Sequence, residues 1–225
     1  MLPSVPIEGL PVTSSLRKIA LAEAVERISA LLLLLASSPL LITSALLISF
    51  LSGRSPWVAH LRIGQHHRPF WMLKLRSMWE AGGTAPRSAG WIEAGWIEYV
   101  EADPAEDGKG PSDPRVNSRF AAFCRRHSID ELPQFWHVVS GQMSLVGPRP
   151  LTRIELERHY ASNASELVSV KPGLTGLWQV SGRSAIKFPE RAEMDLKLVR
   201  ELTPKMYLTI LLRTFSALVR GQGAW

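Results

Sequence analysis

Residues 28–51 read ISALLLLLASSPLLITSALLISFL, twenty-four positions without a charged side chain. A helix of that length runs about 36 Å at 1.5 Å per residue, against a bilayer hydrocarbon core of roughly 30 Å. The run is too long for a secretory h-region, and no small-residue cleavage site closes it. A core helix of a soluble protein is the ordinary alternative, and the length argues against it. The stretch therefore predicts a membrane-bound chain. Ser38-Pro39 falls at its middle. Proline lacks an N–H and clashes with the carbonyl four residues back, here Leu35, so the helix should bend there. A serine beside it offers a hydroxyl to freed backbone groups. Arg17, Lys18 and Arg27 precede the run, and Arg54, Arg62 and Arg68 follow it. Basic residues on both flanks favour the cytoplasm for both ends. Two readings stand: a re-entrant helix broken at Ser38-Pro39, and a kinked spanning helix.

Outward from this run, 225 residues with 46% apolar content suit one domain with an appendage. Residues 1–16 read as a loose tail, 17–53 as the membrane-associated part and 54–225 as a cytosolic domain. From Arg54 through Met78 there are five basic residues, no acid, and Trp57, Phe70 and Trp71 interleaved. That pattern suits lipid headgroups beside a hydrophobic anchor. It also suits stacking on nucleic acid, but no nucleic-acid-binding motif accompanies it. The net charge of +6 and a pI near 9.8 favour anionic partners. The single cysteine, Cys124, excludes an internal disulfide and a cysteine-based zinc cluster, and reads as a small core residue.

Residues 80–112 break the composition, being rich in Gly, Ala and acids. They hold a tandem repeat, AGWIE at 89–93 and again at 94–98. Two copies are too few for a solenoid; the segment reads as a surface insertion with a short helix or hairpin. Near the other end, Lys205 to Val219 is amphipathic, which suits either a core helix or one lying in the membrane interface.

The chemistry-bearing stretch is SIDELPQFWHVVSGQMSLVGPRP, residues 128–150. Asp130 and Glu131 stand between the basic pair Arg125-Arg126 and a Gly-Pro-Arg-Pro corner holding Arg149. Acids that can attack an electrophile or hold a metal, beside arginines that grip phosphate, suit a phosphorylated substrate. The competing reading is local: Ser128 followed three residues later by Glu131 is the pattern of a capping box that only starts a helix. Downstream, KPGLTGLWQVSGR at 171–183 reads equally as a turn-strand-turn segment or as a loop whose glycines let backbone approach a ligand.

Taken together the motifs resemble the bacterial sugar transferase family, the monotopic phosphoglycosyl transferases. The matches are Ser38-Pro39, Arg62-Ile63-Gly64, Lys74-Leu75-Arg76-Ser77-Met78, Asp113-Pro114-Arg115, Arg125, SIDELPQ, MSLVGPRP, KPGLTGLWQVSGR and Gly223-Ala224. Each alone is weak; their order and number carry the resemblance from the apolar run to the C-terminus. It implies a mainly α fold with a small β component, a re-entrant membrane helix hairpin, and a cytosolic catalytic domain seated on interfacial amphipathic helices. It implies transfer of a sugar 1-phosphate from a UDP-sugar to polyprenol phosphate, such as undecaprenyl phosphate. UMP is released, with Mg2+ required, at the cytoplasmic face of a bacterial inner membrane.

Carried over residue by residue, the resemblance makes Asp130 the nucleophile that forms a covalent phosphosugar intermediate, and Glu131 the metal ligand. Lys74, Arg76, Arg125 and Arg149 become phosphate-binding residues, and Arg183 a residue near the nucleotide sugar. His137 departs from the asparagine common at its position, and residues 80–112 have no counterpart. The membrane part is that of the minimal members. The pathway implied is exopolysaccharide or O-antigen assembly, with membrane lipid, a second copy of the chain or downstream glycosyltransferases as partners and no nucleic acid. A catalytically idle scaffold recruiting those glycosyltransferases is the alternative from another class; the presence of both acids favours the enzyme.

Overall fold

The computed structural model describes residues 12–78, 91–94, 96–101, 118–182 and 185–220. It is mostly helical with a small sheet component, as expected. The first helix, α1, runs from Val12 to Ser52 as one element, with Pro39 inside it. Its stretch from Ala20 to Ser52 is long and apolar enough to cross a membrane. The hydroxyls around the proline turn back onto the helix's own carbonyls: Ser37 onto Leu33 at 2.7 Å, Ser38 onto Leu35 at 2.8 Å, Thr43 onto Pro39 at 2.7 Å. The Leu35 carbonyl, which proline leaves without its usual donor, is thereby satisfied. The helix begins within the segment read as a loose tail, so its start lies earlier than Arg17.

One stripe of α1 is buried. Ala30, Leu41, Ser44, Ala45 and Ile48 face the globular body at helical spacing, whereas Ile28, Leu32, Leu35, Ile42, Leu46 and Phe50 are exposed. Leu41, Ala45 and Ile48 form a cluster with Leu75, Ala121, Cys124 and Ile129. Ala30 packs into another with Phe70, Met72, Val138 and Met143. Polar contacts extend the seam toward the N-terminus. Glu26 Oε1 accepts from Ser144 Oγ (2.6 Å), the Leu145 N–H (2.7 Å) and the Tyr207 hydroxyl (2.6 Å), while Lys171 Nζ donates to Glu23 Oε1 at 2.8 Å.

After α1 the chain forms strand β1 (Trp57–Ile63), which pairs antiparallel with β2 (Pro69–Leu75). The basic-aromatic stretch read as a headgroup zone is thus a hairpin. The tandem repeat supplies a second one, β3 (Trp91–Ala94) and β4 (Ile97–Val100), with Ala94 opposite Ile97. Strand β4 runs parallel to β1, Trp57 beside Ile97, giving a four-stranded sheet in the order β2-β1-β4-β3.

The remaining body is helical. α2 (Arg119–Arg126) leads into a 3-10 segment, Ile129–Gln134, then α3 (Phe135–Val139), strand β5 (Ser144–Val146), α4 (Arg153–Tyr160) and α5 (Ala164–Leu167). Strand β6 (Gly173–Thr175) pairs with β5 and is followed by α6 (Leu177–Ser181), α7 (Phe188–Glu201) and α8 (Pro204–Arg220). In α8, Ile210 is buried with Val146 and Leu198, while Leu208, Leu212 and Phe215 are exposed. The helix thus has a core face and an outward apolar face.

Candidate active site

The acid pair sits on the 3-10 segment, and its local geometry removes the capping-box reading. Ser128 has φ 53° and ψ 30°, a left-handed conformation, and its side chain caps nothing. The Glu131 N–H bonds the Ser128 backbone carbonyl at 3.1 Å instead. A non-glycine residue in that region carries strain, which gathers at functional sites. Freed from a cap, the Glu131 carboxylate reaches Lys74 Nζ at 3.2 Å, at the end of β2.

Asp130 is buried, 7% exposed. Ser77 Oγ donates to its Oδ2 at 3.1 Å. Burial, then the charge of Glu131, pushes the Asp130 carboxyl up to about 6, against the opposing pull of Lys74, Arg125 and the Ser77 hydroxyl. The group is therefore harder to ionise, and less hydrated, than a surface carboxylate. Behind it, Cys124 is fully buried, and burial and then the Asp130 charge push its thiol up to about 11. That makes Cys124 an inert core residue, as its composition suggested.

These groups open onto a cavity of about 1810 Å³. Lys74, Arg125, Asp130, Glu131 and Arg149 all line it, so five of the sequence-derived site residues come together. Farther along, Trp178, Lys187, Phe188 and Arg191 line the same space. The Arg191 guanidinium lies 4.6 Å from the Trp178 ring centre and 5.3 Å from that of Phe188, with Arg149 5.9 Å from Trp178. Leu21, Val25 and Leu33 of α1 and Leu211, Phe215 and Leu218 of α8 add apolar wall, with Glu23 and Glu26 of α1 also facing the space.

One expected site residue stands elsewhere, and another is not among the described residues. Arg76 is buried away from the cavity: its guanidinium pairs with Glu98 of β4, and its Nε donates to the Ser55 carbonyl at 2.8 Å. Its chemistry matches that of Lys74, but the chain turns past the end of β2 and aims it into the sheet. In this structure Arg76 forms a buried ion pair and does not line the cavity. Arg183 lies outside the described residues, as does Asp113-Pro114-Arg115. His137, which departs from the family pattern, is a core residue. Its Nε2 accepts the Leu73 N–H at 2.9 Å and its Nδ1 faces Gln142 Oε1 at 2.8 Å, and burial lowers its pKa. An imidazole that accepts at Nε2 is neutral and donates from Nδ1. It ties α3 to β2 and does not line the cavity.

The glycines of KPGLTG serve packing. A Cβ on Gly173 would stand 2.1 Å from the Gly147 nitrogen, and one on Gly147 would stand 2.7 Å from the Lys171 oxygen. Close approach of the two backbones sets the Gly147–Pro150 corner that carries Arg149. Beside Arg149 stands Asp195, missed in the sequence because an acid within an amphipathic helix reads as solvated. Asp195 is 1% exposed, accepts from the Tyr160 hydroxyl at 2.8 Å, and burial pushes its carboxyl up to about 7. Ser77 and Glu98 were also missed, although Ser77 lies within the Lys-Leu-Arg-Ser-Met motif. Arg62 of the Arg-Ile-Gly motif is buried, 3.9 Å from Glu155, which closes a true capping box with Thr152 at the start of α4.

Comparison with known proteins places this geometry. The sequence profile described as bacterial sugar transferase matches residues 17–221. The chain is 39% identical over 179 residues to the UDP-galactose-lipid carrier transferase of Erwinia amylovora, covering 77% of this chain and 35% of that protein. It is 36% identical over 192 residues to the exopolysaccharide production protein ExoY of Rhizobium meliloti, covering 85% and 82%. Against the undecaprenyl-phosphate galactose phosphotransferase of Salmonella typhimurium it is 33% identical over 204 residues, covering 88% and 40%. The chain thus spans most of ExoY but well under half of the two longer relatives.

Proposed function

The chain belongs to the bacterial sugar transferase family, and from that premise we propose that it transfers a sugar 1-phosphate from a UDP-sugar to polyprenol phosphate. The observation that carries the proposal is the placement of Asp130. A buried carboxyl group faces a large cavity with Glu131, Lys74 and Arg125 around it and one oxygen held by Ser77. With Oδ2 bonded to Ser77, Oδ1 is the oxygen left to attack. It bonds to the phosphorus that carries the sugar, the bond to the bridging oxygen breaks, and UMP leaves. An oxygen of the lipid phosphate then attacks the aspartyl phosphosugar, which restores the carboxylate and yields the lipid-linked sugar diphosphate. Because each phosphate enters in turn, one cationic end of the cavity serves both substrates. The apolar wall of α1 and α8 suits a prenyl chain, and names borne by relatives, such as undecaprenyl-phosphate galactose phosphotransferase, support that acceptor.

Attack by an anion on a pyrophosphate needs charge neutralised. Among the described residues no three His, Cys, Asp or Glu side chains gather to form a cage for a metal. Glu131 with Asp130 beside it still fits Mg2+, which binds one or two carboxylates and completes its shell with phosphate and water oxygens. When bound there, the ion neutralises charge on the diphosphate of the donor. Lys74 holds Glu131 at 3.2 Å and contributes further positive charge, as Arg125 and Arg149 do.

For the membrane part we propose the re-entrant reading. Both ends of the α1 stripe, Glu26 and Ile48, touch the same globular body. Basic flanks and the central Ser38-Pro39 support a segment that enters and returns to the cytoplasmic face of the inner membrane, although α1 itself runs as one helix from Val12 to Ser52. Purified protein in lipid nanodiscs with Mg2+, polyprenol phosphate and a panel of UDP-sugars tests the transfer by UMP release, and labelled donor alone should leave label on the protein. Turnover by Asp130→Asn near the wild-type rate refutes the nucleophile. Labelling of a cysteine near the N-terminus from the periplasm refutes the topology.

A further inference from the structure

The tandem repeat finds no place in this chemistry, yet its second copy occupies a defined position. Strand β1 starts at Trp57, five residues beyond the end of α1 at Ser52. Parallel pairing sets Ile97 beside Trp57, so Trp96, the residue that leads into β4, lies at the end of the sheet where α1 exits. Ser55, in the exit loop, donates its hydroxyl to the Trp96 carbonyl. Two residues on, the buried Glu98–Arg76 pair fixes β4 to the body. The Trp96 side chain itself is 79% exposed, as is Phe50 at 85% near the end of α1. The paired strand thus presents an exposed indole at the end of the sheet where α1 exits.

We propose that Trp96 is an interfacial anchor that seats in the headgroup region of the same lipid surface that holds α1. The occupant is argued from continuity, because the exposed apolar face of α1 runs to Leu51 and Trp96 is hydrogen-bonded to the loop that follows it. The chemistry agrees: an amphipathic indole prefers the boundary between headgroups and acyl chains, with its ring toward lipid and its N–H toward water. Glu101, exposed at the far end of β4, points the sheet's opposite end toward water. Such an anchor would hold the sheet, and with it Lys74 at the end of β2, at a set depth beside the membrane. The inference rests on α1 being seated in the membrane.

The test places an environment-sensitive NBD fluorophore at cysteines introduced as Trp96→Cys, Phe50→Cys and Glu101→Cys, in full-length protein in phosphatidylglycerol-containing vesicles. Cys124, fully buried, stays unlabelled. At position 96 the expected result is blue-shifted emission, quenching by lipids with a shallow nitroxide, and iodide quenching several-fold weaker than at 101. Lipid-like behaviour at 50 together with water-like behaviour at 96 overturns the anchor alone. Water-like behaviour at 50 overturns the seating of α1 and the anchor with it. A second measurement keeps the native indole. Quenching of tryptophan emission by brominated lipid should fall on Trp96→Phe, and unchanged quenching refutes the proposal.

Discussion

Replacing Asp130 by asparagine should abolish transfer and stabilise the protein. The carboxyl stands at about 6 in the folded chain against an ordinary value of 3.8. A carboxyl raised on folding contributes stability that is fully present below about 4 and is lost as pH rises through about 6. Above that range, ionising the buried group costs on the order of 3 kcal/mol, since each unit of raised pKa is worth about 1.36 kcal/mol. The asparagine variant never ionises and still offers an oxygen to the Ser77 hydroxyl. It should therefore exceed wild type by up to about 3 kcal/mol at pH 7.5, and the gain should shrink toward pH 4. For a domain of this size that corresponds to a midpoint rise of roughly 6–12 °C. The assay is thermal unfolding of both proteins in nanodiscs with chelator, followed by intrinsic fluorescence at pH 4.5, 6 and 7.5. An asparagine variant less stable than wild type at pH 7.5, or a difference that does not change with pH, refutes the account of Asp130 as a carboxylate held against its own desolvation. Activity should mirror the titration, rising as pH passes about 6.

Three further outcomes follow from named contacts. Glu98→Gln leaves Arg76 buried without its counter-charge and should destabilise by about 3–5 kcal/mol, while KM for the UDP-sugar stays near wild type; a specific rise in KM with normal stability would restore Arg76 to the phosphate site. Ser77→Ala should lower kcat more than it changes KM, since it releases the fixed Asp130 oxygen, and Ser77→Thr should recover most of the loss; equal kcat in all three proteins removes the positioning role. Glu131→Gln should weaken the Mg2+ dependence of turnover, because an amide is a poorer ligand for a hard cation than a carboxylate. An unchanged Mg2+ titration would take Glu131 out of the metal site.

The apolar helix was legible because a run of twenty-four uncharged residues matches the thickness of a bilayer and exceeds what a soluble core asks of one helix. The acid pair and Arg149 were legible through motif order, since residues that share one phosphate chemistry recur in a fixed sequence. The sheet was not. Trp57 to Leu75 mixes basic and aromatic residues without clean alternation, because β1 lies between two strands and its polar residues, such as Arg62, find buried partners. Arg76 was misread for a related reason. Two residues from Lys74 and equally basic, it is set apart only by Glu98, twenty-two positions downstream, which no local rule connects to it. Ser128 shows the same limit at close range: the capping pattern is present, but a left-handed backbone at the serine turns Glu131 toward Lys74 instead.

The site also shows why an apolar helix and a phosphate chemistry occur on one chain. Lys74, Arg125 and Asp130 come from three separate segments, β2, α2 and the 3-10 turn. Each stands beside a residue that packs on α1: Leu75 follows Lys74, Cys124 precedes Arg125, and Ile129 precedes Asp130. All three neighbours are 6% exposed or less and share one cluster with Leu41, Ala45 and Ile48. The C-terminal half of α1 is therefore the surface on which the catalytic segments converge, with the small side chains of Ser44 and Ala45 admitting them closely. The N-terminal half supplies Leu21, Val25 and Leu33 to the apolar wall of the same cavity. An enlarged residue at Ala45 would push against Cys124 and Ile129 and shift Arg125 and Asp130 without touching either. Packing of the candidate site and of the apolar helix is thus shared in this architecture, and on the proposed function that sharing would keep the site beside the lipid surface.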